Sequence, residues 1–232
     1  MEKRQPKAAI PLFKKIIKQD PKNTTALYNQ GLALNQLKKY QDAITCFDQV
    51  TEIDPNDVAS VNNKGISLAE MGNTDGAFEC YNKSIEMDPK YAAAHYNKGV
   101  LHDKLLQHEE AIQSLDNSLK CDSGNVNTAF YKGVVLGRMK KHEEALNCFE
   151  NIYRKHPKHM DAFFHKGIEL AELGKHKRAL EIFEKLLQLH KDNVNVIYAM
   201  ARSNAAISNI CLLYTSDAAD DTPCVDLGGR RI

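Results

Sequence analysis

Gly31, Gly65, Gly99, Gly133 and Gly167 stand thirty-four residues apart. No other feature restricts the fold of this chain so strongly, because a fixed period of that size means one supersecondary unit copied along the sequence. Other marks keep the same phase. Ala43, Ala77, Ala111, Ala145 and Ala179 follow each glycine by twelve, and Phe47, Tyr81, Leu115, Phe149 and Phe183 follow each alanine by four. Pro55, Pro89 and Pro157 follow their glycines by twenty-four.

Each unit reads as two helices. Ala26, Leu27, Gly31, Leu34 and Leu37 recur at helical spacing, and Ala43, Ile44, Phe47 and Val50 do so after a turn at Lys38–Gln41. The small residues fit where the two helices cross, and a larger side chain there would overpack the contact. The proline cannot continue a helix and ends the second one. Asn23, Asp57, Asn125 and Asn193 stand just before first helices, where a side-chain oxygen caps free backbone amides.

Helix–turn–helix at this period resembles the tetratricopeptide repeat family. The resemblance covers residues 7–210: a half unit at 7–23, full units at 24–57, 58–91, 92–125, 126–159 and 160–193, and a cut-off unit at 194–210. It implies an all-α fold, a right-handed α-solenoid of antiparallel helix pairs. Two departures stand out. Leu27, Val61, His95, Ala129 and Phe163 replace the family's first-helix tryptophan, and Gln30, Lys64, Lys98, Lys132 and Lys166 replace its leucine before the glycine. The half units expose apolar faces, so the native product is expected to extend beyond one or both ends, and self-association through those faces is a further expectation.

In that family the first helices line a groove that binds segments of partner proteins. Carried over, the resemblance implies partner contacts three before the glycine at Tyr28, Asn62, Tyr96, Phe130 and Phe164, and one after it at Leu32, Ile66, Val100, Val134 and Ile168. Two before it, Asn29, Asn63 and Asn97 form an asparagine ladder whose amides offer both donors and acceptors to a peptide main chain. Five after it, Lys104 and Arg138 add cations. The family's clamp for chaperone C-termini needs a lysine and an asparagine where Tyr28 and Leu32 stand, so that specialisation is not expected.

The function expected is a non-catalytic protein-interaction scaffold holding a partner peptide or segment. The alternative is the recognition module of a larger enzyme, such as a glycosyltransferase or a signalling enzyme, whose catalytic part is not in this sequence. No nucleophile–base order, phosphate loop or paired acidic motif points to catalysis, and no cofactor or metal is expected. His108, His142 and His176 share a turn register too widely spaced for one metal and read as solvated turn residues. Cys46, Cys80 and Cys148 share one register and read as core. Glu109-Glu110 and Glu143-Glu144 open second helices, where negative charge suits the helix dipole.

A net charge of +1 gives no footprint for nucleic acid or an anionic membrane. No apolar run is long enough to span a bilayer, and none follows the first six residues as a secretory signal would, so residues 1–6 read as a disordered start. Six cysteines without CxxC spacing fit a reducing, cytoplasmic setting. Residues 211–232 lose the period and read as a disordered tail. Cys211–Asp220 and Val225–Ile232 resemble a translated transposase-type sequencing adapter, so this tail is set aside from fold reasoning.

Overall fold

A computed structural model of the protein describes residues 6–189 and 191–217, with side chains through residue 208. The described residues form α-helices joined by short turns: α1 (Pro6–Gln19), α2 (Thr24–Gln36), α3 (Tyr40–Ile53), α4 (Val58–Glu70), α5 (Thr74–Met87), α6 (Ala92–Lys104), α7 (His108–Cys121), α8 (Val126–Arg138), α9 (His142–Lys155), α10 (Met160–Glu172), α11 (His176–Leu189) and α12 (Val194–Asp217). They fall into two compact lobes divided between Thr128 and Ala129, inside α8. The backbone of α12 stays helical past Ile210, as far as Asp217. The remainder of the expected tail, like residues 1–5, lies outside the described residues.

In the N-terminal lobe each first helix packs on its own second helix (α2 on α3, α4 on α5, α6 on α7), and consecutive pairs stack through α3 on α4 and α5 on α6. The C-terminal lobe repeats the scheme with α9, α10, α11 and α12. The periodic alanines are fully buried, as are Phe47, Leu115, Phe149 and Phe183. Close approach explains the glycines: a Cβ on Gly31 would stand 2.6 Å from Phe47 Cε1, and one on Gly167 2.5 Å from Phe183 Cε1.

Every turn between paired helices has the same geometry. Lys38, Gly72, Leu106, Lys140 and Gly174 all have positive φ. The next amide then reaches back to close the helix, as Lys39 N to Leu34 O (2.9 Å) and Lys175 N to Leu170 O (2.8 Å) illustrate. This is the left-handed C-terminal cap that satisfies orphan carbonyls. At the other end the expected caps form: Asn23, Asp57, Asn125 and Asn193 accept from Ala26, Ser60, Thr128 and Val196 N. His159 fills the same role with its ring Nδ1, accepting from Ala162 N at 3.1 Å.

The lysines before the glycines have a purpose of their own. Lys64 reaches Asp48 at 2.6 Å, Lys98 reaches Asn82 at 2.8 Å and Lys166 reaches Glu150 at 3.1 Å. Each partner lies sixteen residues back on the preceding second helix. A leucine there could only pack, whereas lysine packs its stem and ties the repeats together at its tip.

Candidate functional site

On α2, Tyr28 lays its ring 5.9 Å from Phe47 and its hydroxyl accepts from Asn63 Nδ2 at 3.0 Å. Burial, with Asp57 nearby, raises the Tyr28 phenol above its ordinary pKa. Asn63 Nδ2 also donates to Ala59 O at 2.8 Å. Asn97 Nδ2 donates to Asn62 Oδ1 at 2.9 Å, and Asn29 Nδ2 to Thr25 O at 2.8 Å. This changes the meaning of the asparagine ladder. Asn63 uses both of its amide N–H groups, and Asn29 and Asn97 use one each, within helices or between neighbouring first helices. Asn62 is 3% exposed and belongs to that seam.

The apolar positions remain. Leu32, Ile66 and Val100 are each half-buried in the N-terminal lobe. Leu32 rests on the cluster of Leu34, Ala43, Cys46 and Phe47, and Ile66 on Ala77, Tyr81 and Leu101. Tyr96 is half-buried, and burial raises its phenol. Lys104 pairs with Glu70 across neighbouring repeats at 2.7 Å, and that hydrogen bond holds the Glu70 carboxyl below its usual range.

In the C-terminal lobe Phe130 meets Phe149 edge-on at 5.5 Å and stacks on His159 at 5.4 Å. His165 stacks on Phe149 at 5.1 Å, and Phe164 meets the edge of His165 and lies 6.0 Å from Phe183. Burial pushes the His165 imidazole below its ordinary pKa. Val134 and Ile168 are half-buried, as in the other lobe, and Arg138 is exposed.

Tetratricopeptide repeat patterns match residues 24–57, 92–125 and 132–194, and a TPR repeat pattern matches residues 65–105. The chain belongs to the tetratricopeptide repeat family. Solved structures share its fold. YrrB, a TPR protein with an unusual peptide-binding site, is 21% identical with a TM-score of 0.62, over 81% of this chain and 96% of that one. MamA from Desulfovibrio magneticus RS-1 is 19% identical with a TM-score of 0.63, over 74% of this chain and 97% of that one. Yeast Tom70 is 17% identical with a TM-score of 0.69, over 90% of this chain but 44% of that one. No curated protein matches the chain in sequence.

Two histidines of this tetratricopeptide chain depart from the expectation of solvated turn residues. His108 Nδ1 lies 2.9 Å from Asp103 Oδ1, and His142 Nδ1 lies 2.7 Å from Glu169 Oε2. Both carboxylates are buried. A buried carboxylate needs a donor, and the turn histidine supplies it. The cysteines sit as core residues do. Cys46 is buried, its thiol pushed up to about 11 by that burial and by Asp42, and Cys80 and Cys148 are half-buried. Among the described residues no cluster of three His, Cys, Asp or Glu could hold a metal, and no helix is long and apolar enough to cross a membrane.

Proposed function

We propose that the chain is a non-catalytic scaffold whose first helices hold a segment of a partner protein. One observation carries the reading. The residue after the repeat glycine (Leu32, Ile66, Val100, Val134, Ile168) is aliphatic and half-exposed in every full repeat, while its neighbour one further on is buried or packed. Each lobe therefore presents a row of apolar side chains at one register. Tyr28 and Tyr96 flank the row in one lobe, Phe130 and Phe164 in the other. The peptide-binding description of YrrB supports the same use of the fold.

Magnitudes favour the aliphatic row over the asparagines. A hydrogen bond contributes about 0.5–1.5 kcal/mol net, against an association cost of roughly 4 kcal/mol or more. Buried apolar area, at about 25 cal/mol per Å², is the larger source. Asn29, Asn63 and Asn97 act mainly by fixing the helices that carry the row, with their carbonyl oxygens available to a bound main chain. Lys104 and Arg138 set charge preference at the end of each helix. Cys46, Cys80, Cys121 and Cys148 are not in disulfides, which suits a reducing cytoplasm. The exposed Leu12 and Ile16 on α1, and Val194, Ile197 and Tyr198 on α12, provide surfaces for self-association.

A peptide array probed with the full chain tests this. Bound segments should carry aliphatic or aromatic side chains, and Ile66→Asp, Val100→Asp, Val134→Asp and Ile168→Asp together should abolish their capture while the helical spectrum stays intact. Capture unchanged in that fourfold variant contradicts the reading.

A further inference from the structure

The three turn histidines share a register but not a partner. His108 has Asp103 and His142 has Glu169. His176 Nδ1, the third, is buried without a hydrogen-bond partner. So is Ser203 Oγ on α12. Ser203 follows His176 by twenty-seven residues, the same interval that separates Glu169 from His142. In the register where the previous repeat supplies a glutamate, this one supplies a serine, and the carboxylate is missing.

A cavity borders both residues. Its volume is about 300 Å³, and Ile168, Glu172, Ala199 and Arg202 also line it. Ser203 is 1% exposed, so bulk water does not satisfy its hydroxyl. A buried polar group without a partner is destabilising, and the two residues that carry such groups line one cavity.

The start of α11 also differs in charge from the starts of the corresponding helices. The helices that begin at His108 and His142 open with Glu109-Glu110 and Glu143-Glu144. The helix that begins at His176 continues with Lys177-Arg178 and has no acidic residue in its first turn; Lys175 precedes it. Arg178 lines a separate pocket with Glu181 and Lys185, so the charge that borders this cavity is that of Arg202 and Glu172. At the mouth Arg202 Nη2 pairs with Glu172 Oε1 at 3.1 Å. That one bond offsets the Glu172 charge and leaves further guanidinium donors.

We propose that this cavity receives the side-chain carboxylate of an acidic residue on a partner segment. His176 Nδ1–H and Ser203 Oγ–H donate to its oxygens, and Arg202 adds charge at the entrance. The bound carboxylate takes the place that the Glu169 carboxylate holds beside His142. The inference rests on the scaffold reading and names one anchor of the segment.

Its test does not need the partner. The full chain is titrated with N-acetyl-Ala-Glu-Ala-amide, its glutamine counterpart, and N-acetyl-Ala-Ala-Ala with a free C-terminus, while the His176 ring resonances are followed by NMR. The glutamyl peptide should shift them saturably and the glutaminyl peptide should not. Ser203→Glu, which restores the internal carboxylate, should weaken that response about tenfold or more and raise Tm. Ser203→Ala keeps the cavity but removes one donor, and should also weaken it. No response, an equal response to glutamine, preference for the free C-terminus, or full binding in both variants would overturn the proposal. A silent cavity alongside partner capture by the aliphatic row would sink this inference and leave the scaffold reading standing.

Discussion

His142 Nδ1 stands 2.7 Å from Glu169 Oε2, joining the turn of one repeat to the first helix of the next. Glu169 is 5% exposed, and burial raises its carboxyl above the usual range despite the histidine beside it. Gly137 makes the room: a Cβ there would lie 2.7 Å from Glu169 Oε1. His142→Ala strips a buried carboxylate of its donor and should destabilise the chain by about 1–3 kcal/mol at neutral pH. The deficit should shrink as the pH falls and Glu169 takes up a proton. Urea denaturation at two pH values measures both, and an unchanged midpoint would show that the pair is not structural.

The helix crossings give a graded prediction. Gly31→Ala drives a methyl into the Phe47 ring, whereas at Gly99 the nearest atom is Leu115 Cγ at 3.0 Å. Overpacking costs about 1–3 kcal/mol. Gly31→Ala should therefore lower Tm more than Gly99→Ala, where better helix propensity offsets part of the strain. Equal losses would mean that the ring contact does not set the crossing distance.

Leu106 invites stabilisation. Its φ is 61°, and it is 78% exposed. A left-handed non-glycine residue costs roughly 1–2 kcal/mol, while glycine adopts the region freely at some entropic cost. Leu106→Gly should raise the urea midpoint by about 0.5–1 kcal/mol equivalent. A fall would show that the leucine makes compensating contacts.

His165 makes stability depend on pH. Its folded pKa is lowered by burial, only partly offset by Asp161. As pH falls through about 6.5 the unfolded chain binds the proton first. The histidine's contribution is thus whole above that pH and is lost as pH drops toward the folded value. Glu169, with a raised pKa, has the opposite sign. His165→Phe keeps the stacking on Phe149 and should flatten the loss of Tm between about pH 7.5 and 5.5. Identical slopes in the two proteins would remove His165 from the account.

Much of the fold was legible because the repeat averages out local noise. The alanine and aromatic registers mark the core, and four of the caps could be placed from Asn or Asp before an apolar period. What escaped depends on reach across repeats. Lys64, Lys98 and Lys166 look like misplaced charges until their partners sixteen residues back are seen. Asn63 and Asn97 read as open amides because a sequence does not show that Tyr28 and Asn62 lie within hydrogen-bond distance. Lys38, Leu106 and Lys140 hide the left-handed turns because that conformation ordinarily calls for glycine. His159 was missed as a cap because a ring nitrogen seldom takes that role.

The scaffold reading turns on whether a bound segment lies along the first helices. Methyl NMR answers this most directly, with a segment selected on the array added to the full chain. The account predicts shifts at Leu32, Ile66 and Val100, or at Val134 and Ile168, while Ile112 on the second helix α7 stays still. Shifts confined to Ile112 and other second-helix methyls would contradict it.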